Sequence, residues 1–295
     1  MSNEAQIDLV KKIRLESRFR REVNRFFNKV LSYFSESVLS NVPFSIPERF
    51  DDELKELLLS QYNRVESDFG NEVRKTLPNE IQSTNEENEI INESFASFNF
   101  NRSTNIANEI NQTTQDQAQE ALLIAKTFDT EVQEEVDGQI FNKKNLLVGF
   151  ELALVAKNIL QRKILDRIPT IVTTETEISA ETAKLTEIEV LTTQTSSILA
   201  GTPIKSQVNK TWVSQGDSRV RETHLEADGQ TVPSNEPFIV GDSRLMVPGD
   251  TSLGASLDEI INCRCAAQYD DDKIVAIRFE KLNDQNEQVI RAALL

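Results

Sequence analysis

The chain has 295 residues, 38% of them apolar and 27% charged, with a formal net charge of −16. That length allows two modest domains or one domain with a long helical extension. The charge excludes a surface given over wholly to phosphate contacts, which need an excess of Lys and Arg.

The low apolar share predicts solvated helices or a disordered stretch. Met1-Ser2-Asn3-Glu4 lacks the basic-then-apolar pattern of a secretion signal, and the most apolar run, Leu146 to Leu160, contains Glu151 and Lys157 and is too short for a bilayer. The expectation is a soluble protein made in a cytoplasm, with no membrane partner. The two cysteines stand in Cys263-Arg264-Cys265, too close for an unstrained disulfide, which points to a reducing compartment.

Residues 5–40 read as one amphipathic helix, with Leu15, Phe19, Val23, Phe26, Val30 and Phe34 recurring at spacings of three and four. Lys11, Arg14, Arg18, Arg21, Arg25 and Lys29 recur on the opposite side. They form a basic strip that is either a solvated face or a docking surface for an acidic partner or packaged DNA. Pro43 and Pro47 interrupt, and a second helix is predicted over 51–75.

Residues 78–117 shift to Asn, Glu, Gln, Ser and Thr, with eight acidic side chains against one basic over 79–120, and read as a linker or a weakly helical, poorly packed segment. Within it Phe95, Phe98 and Phe100 make an aromatic cluster expected to pack locally. Helical periodicity returns over 117–167, with Gly138 dividing two helices and Pro169 closing the region. One more acidic helix follows over 178–199, ended by Gly201-Thr202-Pro203.

After Pro203, Gly, Pro, Asp and Ser punctuate short apolar pieces at 211–213, 237–240 and 245–247. Residues 265–269 and 273–279 read as a hairpin around Asp270-Asp271-Asp272, and 284–295 as a terminal helix. The fold class expected is α+β: a long helical N-terminal arm and a helical middle region, then a small mixed α/β C-terminal domain. The divisions are 1–77, 78–117, 118–169, 170–281 and 282–295.

The C-terminal region carries a run of short motifs. Lys210-Thr211-Trp212 is followed by Asp217, Arg221 and His224, then Asp228-Gly229-Gln230 with Val232, Glu236-Pro237-Phe238, Pro248-Gly249-Asp250 and Asn262-Cys263-Arg264-Cys265. In order and spacing this run resembles the Mu F-like family of phage head morphogenesis proteins, and the resemblance covers residues 120–270. Upstream, Ile171 to Glu175 resembles the family's Ala-Arg-Thr-Glu element, with Thr173 in place of the arginine.

The resemblance implies a minor protein of the phage head, present in a few copies inside the particle. It would bind the portal protein and possibly the major capsid protein, with weak contact to packaged DNA, and act in assembly or genome delivery without a cofactor. The alternatives it leaves are a phage-delivered enzyme or toxin with an ADP-ribosyltransferase-like fold, and a DNA-binding packaging factor.

His224, Cys263 and Cys265 are the only histidine and cysteines, which invites a zinc reading with Asp217 as a fourth ligand. Against it, a Cys-x-Cys pair on a strand would set its sulfurs about 7 Å apart. The reading preferred on sequence is two buried thiols on one strand face, with His224 bonded to Asp217 or a backbone carbonyl and no metal. A cysteine nucleophile with a histidine base needs hydrogen-bond contact that sequence cannot supply. Arg219, Arg221, Arg244 and Arg264 are expected to pair with Asp217, Asp228, Asp242 and Asp250 around an apolar centre of Trp212 and Phe238, with Pro248 opening a tight turn.

Overall fold

The computed structural model describes residues 3–70, 74, 77–79, 82–136, 139–193, 208–278 and 280–281, with backbone alone for 3–9 and 129–145. The expected terminal helix at 284–295 and the Gly201-Thr202-Pro203 stop lie outside these residues.

Helix α1 (Asn3–Leu39) buries Leu15, Phe19, Val23, Phe26, Val30 and Phe34, the face its spacing predicts. Asn41 takes a left-handed φ of 53°, and the Val42 N–H bonds the Ser37 carbonyl at 2.9 Å while the Asn41 N–H bonds that of Val38 at 3.2 Å. This is the double-bonded C-terminal closure that asparagine tolerates. After the two prolines, α2 (Glu48–Val65) starts on Glu48 and Asp51, whose charge suits a helix N-terminus, and passes into a π-helical turn, Glu66–Gly70.

The segment expected to be a linker is instead a 41-residue helix, α3 (Asn85–Ala125). Thr84 and Glu87 cap it reciprocally: the Thr84 N–H donates to Glu87 at 2.9 Å and the Glu87 N–H to Thr84 Oγ1 at 3.2 Å. The buried face runs Ile91, Phe95, Asn99, Ser103, Ala107, Ile110, Thr114, Ala118, Ala121 and Ala125, steps of three and four throughout. Polar members hide that stripe, and each that is buried must find a partner. Asn99 donates to Asn63 and Glu66, and Arg167 donates to Thr114. Phe95 is in the core, Phe98 tilts against Tyr62 with ring centroids 6.5 Å apart, and Phe100 is exposed.

Gly138 lies outside the described residues, and the segments flanking it are strands, not helices: β1 (Asp129–Val136) pairs antiparallel with β2 (Gln139–Leu146). Helix α4 (Gly149–Thr192) then runs 44 residues straight through Pro169, so the expected stop there and the separate helix at 178–199 are both corrected. An interior proline costs a helix about 3 kcal/mol. Here it is exposed while Ile168 and Val172 beside it are buried, and packing on the inner face outweighs the local penalty.

The C-terminal part holds a three-stranded antiparallel sheet in the order β4 (Thr231–Pro233), β3 (Asn209–Val213), β7 (Ala266–Tyr269), and a separate hairpin, β5 (Phe238–Val240) with β6 (Ser243–Leu245). Short helices α5 (Glu222–Glu226) and α6 (Leu257–Ile260) connect them. The hairpin expected around Asp270-Asp271-Asp272 is absent. Strand β7 pairs with β3 (Trp212 opposite Ala267), and 271–278 is a helix, α7. Asp270 starts it, with its carboxylate accepting the Lys273 N–H at 3.0 Å. The protein is thus mixed α+β, mainly helical, with its small antiparallel sheet near the C-terminus.

Two compact units are present. One comprises 1–16, 60–100 and 172–295; the other comprises 17–59 and 101–171. Helices α1, α2, α3 and α4 each contribute residues to both.

Candidate functional site

Strand β3 alternates, turning Lys210 and Trp212 inward, and Trp212 is fully buried among Phe238, Val240, Leu245, Cys263, Cys265 and Ala267. The Trp212 ring meets Phe238 and His224 edge-on, each with centroids 5.3 Å away. Such edge-to-face pairs contribute about 0.5–1.5 kcal/mol beyond the area they bury. Five of the six sequence motifs therefore contribute to a single core, the exception being Pro248-Gly249-Asp250.

His224 sits in α5 with 1% of its surface exposed, and Cys263 and Cys265 with 1% and 2%. Its Nδ1 is 3.4 Å from Cys265 Sγ and 3.7 Å from Cys263 Sγ, and the three ligand-type atoms lie within 4.8 Å of one another. The expected separation of the sulfurs fails because 263–265 precede β7 and are not a strand. Asn262, at a left-handed φ of 55°, turns the chain so that both thiols reach one imidazole. The Asn262 N–H is held by Thr174 Oγ1 at 3.1 Å, and Arg221 donates to the Ile261 carbonyl just before it.

On the far side of the ring, Glu259 Oε2 lies 3.0 Å from Nε2, close enough for an ion pair though not aligned for a hydrogen bond. Thr223 Oγ1 fixes that carboxylate at 2.8 Å. The Cys263 thiol is pushed well above its ordinary value, first by its hydrogen bond with Cys265 and then by burial.

Asp217 is not part of this group, and the His224 ring meets the two sulfurs and Glu259 in place of Asp217 or a backbone carbonyl. Arg264 takes both Asp217 oxygens in a fork, at 2.9 and 2.6 Å, and Arg219 adds a longer contact at 3.4 Å. Those Arg264 hydrogen bonds hold the Asp217 carboxyl far below the usual range. The wider Arg–Asp network expected from sequence is replaced by backbone contacts. Arg221 serves Ile261, Asp228 accepts the Ser214 N–H at 2.7 Å, and Asp250 accepts those of Met246 and Ser252 at 2.9 and 2.8 Å.

Val247-Pro248-Gly249-Asp250 is a type II turn. Asp250 N–H bonds the Val247 carbonyl at 3.0 Å, and Gly249 has φ +82°. A Cβ on Gly249 would come within 2.8 Å of Ile178 on α4. Gly229, at φ +78°, makes the turn after Asp228 and donates to the Trp212 carbonyl at 2.8 Å.

The basic strip is at the surface: Arg14, Arg18, Arg21, Arg25 and Lys29 are exposed and Lys11 is half-buried. Lys29 pairs with Glu53 at 2.5 Å, and the open groove it lines with Arg49 also carries Glu36 and Glu53, so the groove is charge-balanced and no anion site.

Sequence reading missed the buried ions. Lys12, one residue from the strip, is buried and bonds Glu177 and Glu181, each at 3.0 Å, while Glu181 also pairs with Lys184 at 2.8 Å and accepts the Ala267 N–H at 2.9 Å. Burial raises Glu177 to about 7 despite Lys12; Glu181 stays lowered, because Lys184 and Lys12 overcome its burial. Glu87 is gripped by Arg278 and Lys281. Lys210 donates to the Ser234 and Met246 carbonyls at 2.7 and 2.6 Å, and burial lowers it to about 8. These pairings join residues far apart in sequence, and no local pattern announces them.

No family model, curated protein or solved structure matches the chain. Among the described residues, no helix is long and apolar enough to cross a membrane.

Proposed function

We propose that this protein is a minor head component of a tailed bacteriophage, acting inside the particle by binding the portal protein and not by catalysis. The observation that carries the reading is the convergence of five of the six motifs on one core around Trp212. Residues that carry the resemblance to the Mu F-like family are thus neighbours in space as well as in sequence, which supports the reading.

A binding role is supported by the distribution of apolar surface. Leu123, Phe128, Leu146, Val148, Phe150 and Leu154 are 46–73% exposed and gather at the end of α3, the base of the β1–β2 hairpin and the start of α4. The Leu147 N–H bonds the Phe128 carbonyl at 3.4 Å, which ties the two flanks together. Grouped exposed apolar side chains mark a surface that another protein covers. A cysteine enzyme is disfavoured because both thiols are sealed in the core, whereas a nucleophile needs access and thiolate character.

The test is quantitative mass spectrometry of density-purified particles from the strain that encodes the chain. A low, fixed ratio to the major capsid protein is expected, lowered by Val148→Asp with Phe150→Asp. Absence of the chain from filled and emptied particles alike would reject the proposal.

A further inference from the structure

The three atoms that meet in the Trp212 core are the set a thiophilic metal ion takes. We propose that His224 Nδ1, Cys263 Sγ and Cys265 Sγ bind one Zn(II), with the Glu259 carboxylate beside the other ring nitrogen.

The geometry suits it. Zinc–sulfur and zinc–nitrogen bonds of about 2.3 and 2.0–2.1 Å at a tetrahedral centre put sulfur and nitrogen roughly 3.5 Å apart. The Nδ1–Sγ distances of 3.4 and 3.7 Å match that, and all three ligand atoms lie within 4.8 Å of one another. A thiol–imidazole hydrogen bond explains one such contact; two sulfurs on one ring nitrogen exceed what a single N–H or lone pair can serve.

The surroundings point the same way. A ligating imidazole commonly turns its other nitrogen to a carboxylate, which fixes the tautomer. Glu259 Oε2 stands 3.0 Å from Nε2 and is itself held by Thr223. Charge favours a divalent ion as well: two thiolates, one neutral imidazole and Zn(II) sum to zero, so the filled site carries no net charge into the core. On binding, the two thiol protons leave to solvent. Soft sulfur donors select zinc-like ions over magnesium or calcium. Three protein ligands leave the fourth position to an exogenous donor.

The full-length chain, purified with a thiol reductant and without chelator, should hold one equivalent of zinc by elemental mass spectrometry. After acid stripping and refolding it should take up one equivalent of Co(II), with the thiolate-to-cobalt charge-transfer band of sulfur ligation. The single tryptophan, its ring 5.3 Å from His224, should change its emission with the same endpoint. Cys265→Ser should abolish the band, and Glu259→Gln should keep the stoichiometry while weakening affinity about 10–100-fold. Reduced, folded wild-type chain that takes up neither Zn(II) nor Co(II) would overturn the proposal even if the cysteine variant fails to fold. So would a cobalt spectrum unchanged in a folded Cys265→Ser variant.

Discussion

Glu187 shows how one side chain can set a pH dependence. Its Oε1 meets Arg74 at 2.7 Å, but Oε2 is buried with no partner, and burial raises the carboxyl from 4.5 to about 7, with Glu66 nearby adding to the rise. A carboxyl whose folded pKa is raised binds a proton more tightly in the native state. Its stabilising contribution is complete below about pH 4.5 and is lost as pH climbs to about 7. The difference in unfolding free energy between wild type and Glu187→Gln should therefore shift across that window, by about 3 kcal/mol at most. Urea titrations of both proteins at pH 4.5 and 7.5 check this, and parallel pH curves would refute the assignment. Gly249 makes a simpler case. Its positive φ and its contact with Ile178 both reject a side chain, and Gly249→Ala should lose about 2–4 kcal/mol in the same assay.

Among the elements, α4 invites a test in the opposite direction. Pro169 is exposed, so alanine there loses no packing and restores a backbone donor. Pro169→Ala should raise stability by about 1–3 kcal/mol, net of the added freedom of the unfolded chain. A fall in melting temperature would mean that the break in the hydrogen-bond ladder is itself used. For α1, replacing Arg14, Arg18, Arg21 and Arg25 with glutamine should lower incorporation into particles without altering the near-ultraviolet signal of Trp212. Unchanged incorporation would leave the strip as solvated surface only.

How much of this was legible varies with the physics. Helix α1 was readable because its buried positions are all apolar. Helix α3 was not, because Asn99, Ser103 and Thr114 occupy core positions, although the Thr84–Glu87 cap at its start is a local signal. The hairpin also had a local sign, Asp137-Gly138, a dipeptide suited to tight two-residue turns. Within the site, residue identity announced His224, Cys263 and Cys265. Their meeting depended on the left-handed Asn262, and Glu259 came from a different element altogether.

At the level of the molecule, the compact unit that contains the Trp212 core draws on three separate stretches of chain. A fragment of residues 170–281 would leave Glu177 without Lys12, and Arg278 and Lys281 without Glu87. Removing one partner of a buried ion pair costs about 3–5 kcal/mol. That fragment should melt without cooperativity and lack a defined near-ultraviolet spectrum. A sharp two-state transition would show that the C-terminal region folds alone. The same pairings order events during synthesis. Lys12 and Glu177 are 165 residues apart, and Glu87 and Arg278 191. On the ribosome, Lys12 and Glu87 therefore emerge long before the residues that neutralise them. A chain released early, by a premature stop anywhere before Arg278, keeps Glu87 without that partner, and cellular proteases should clear it.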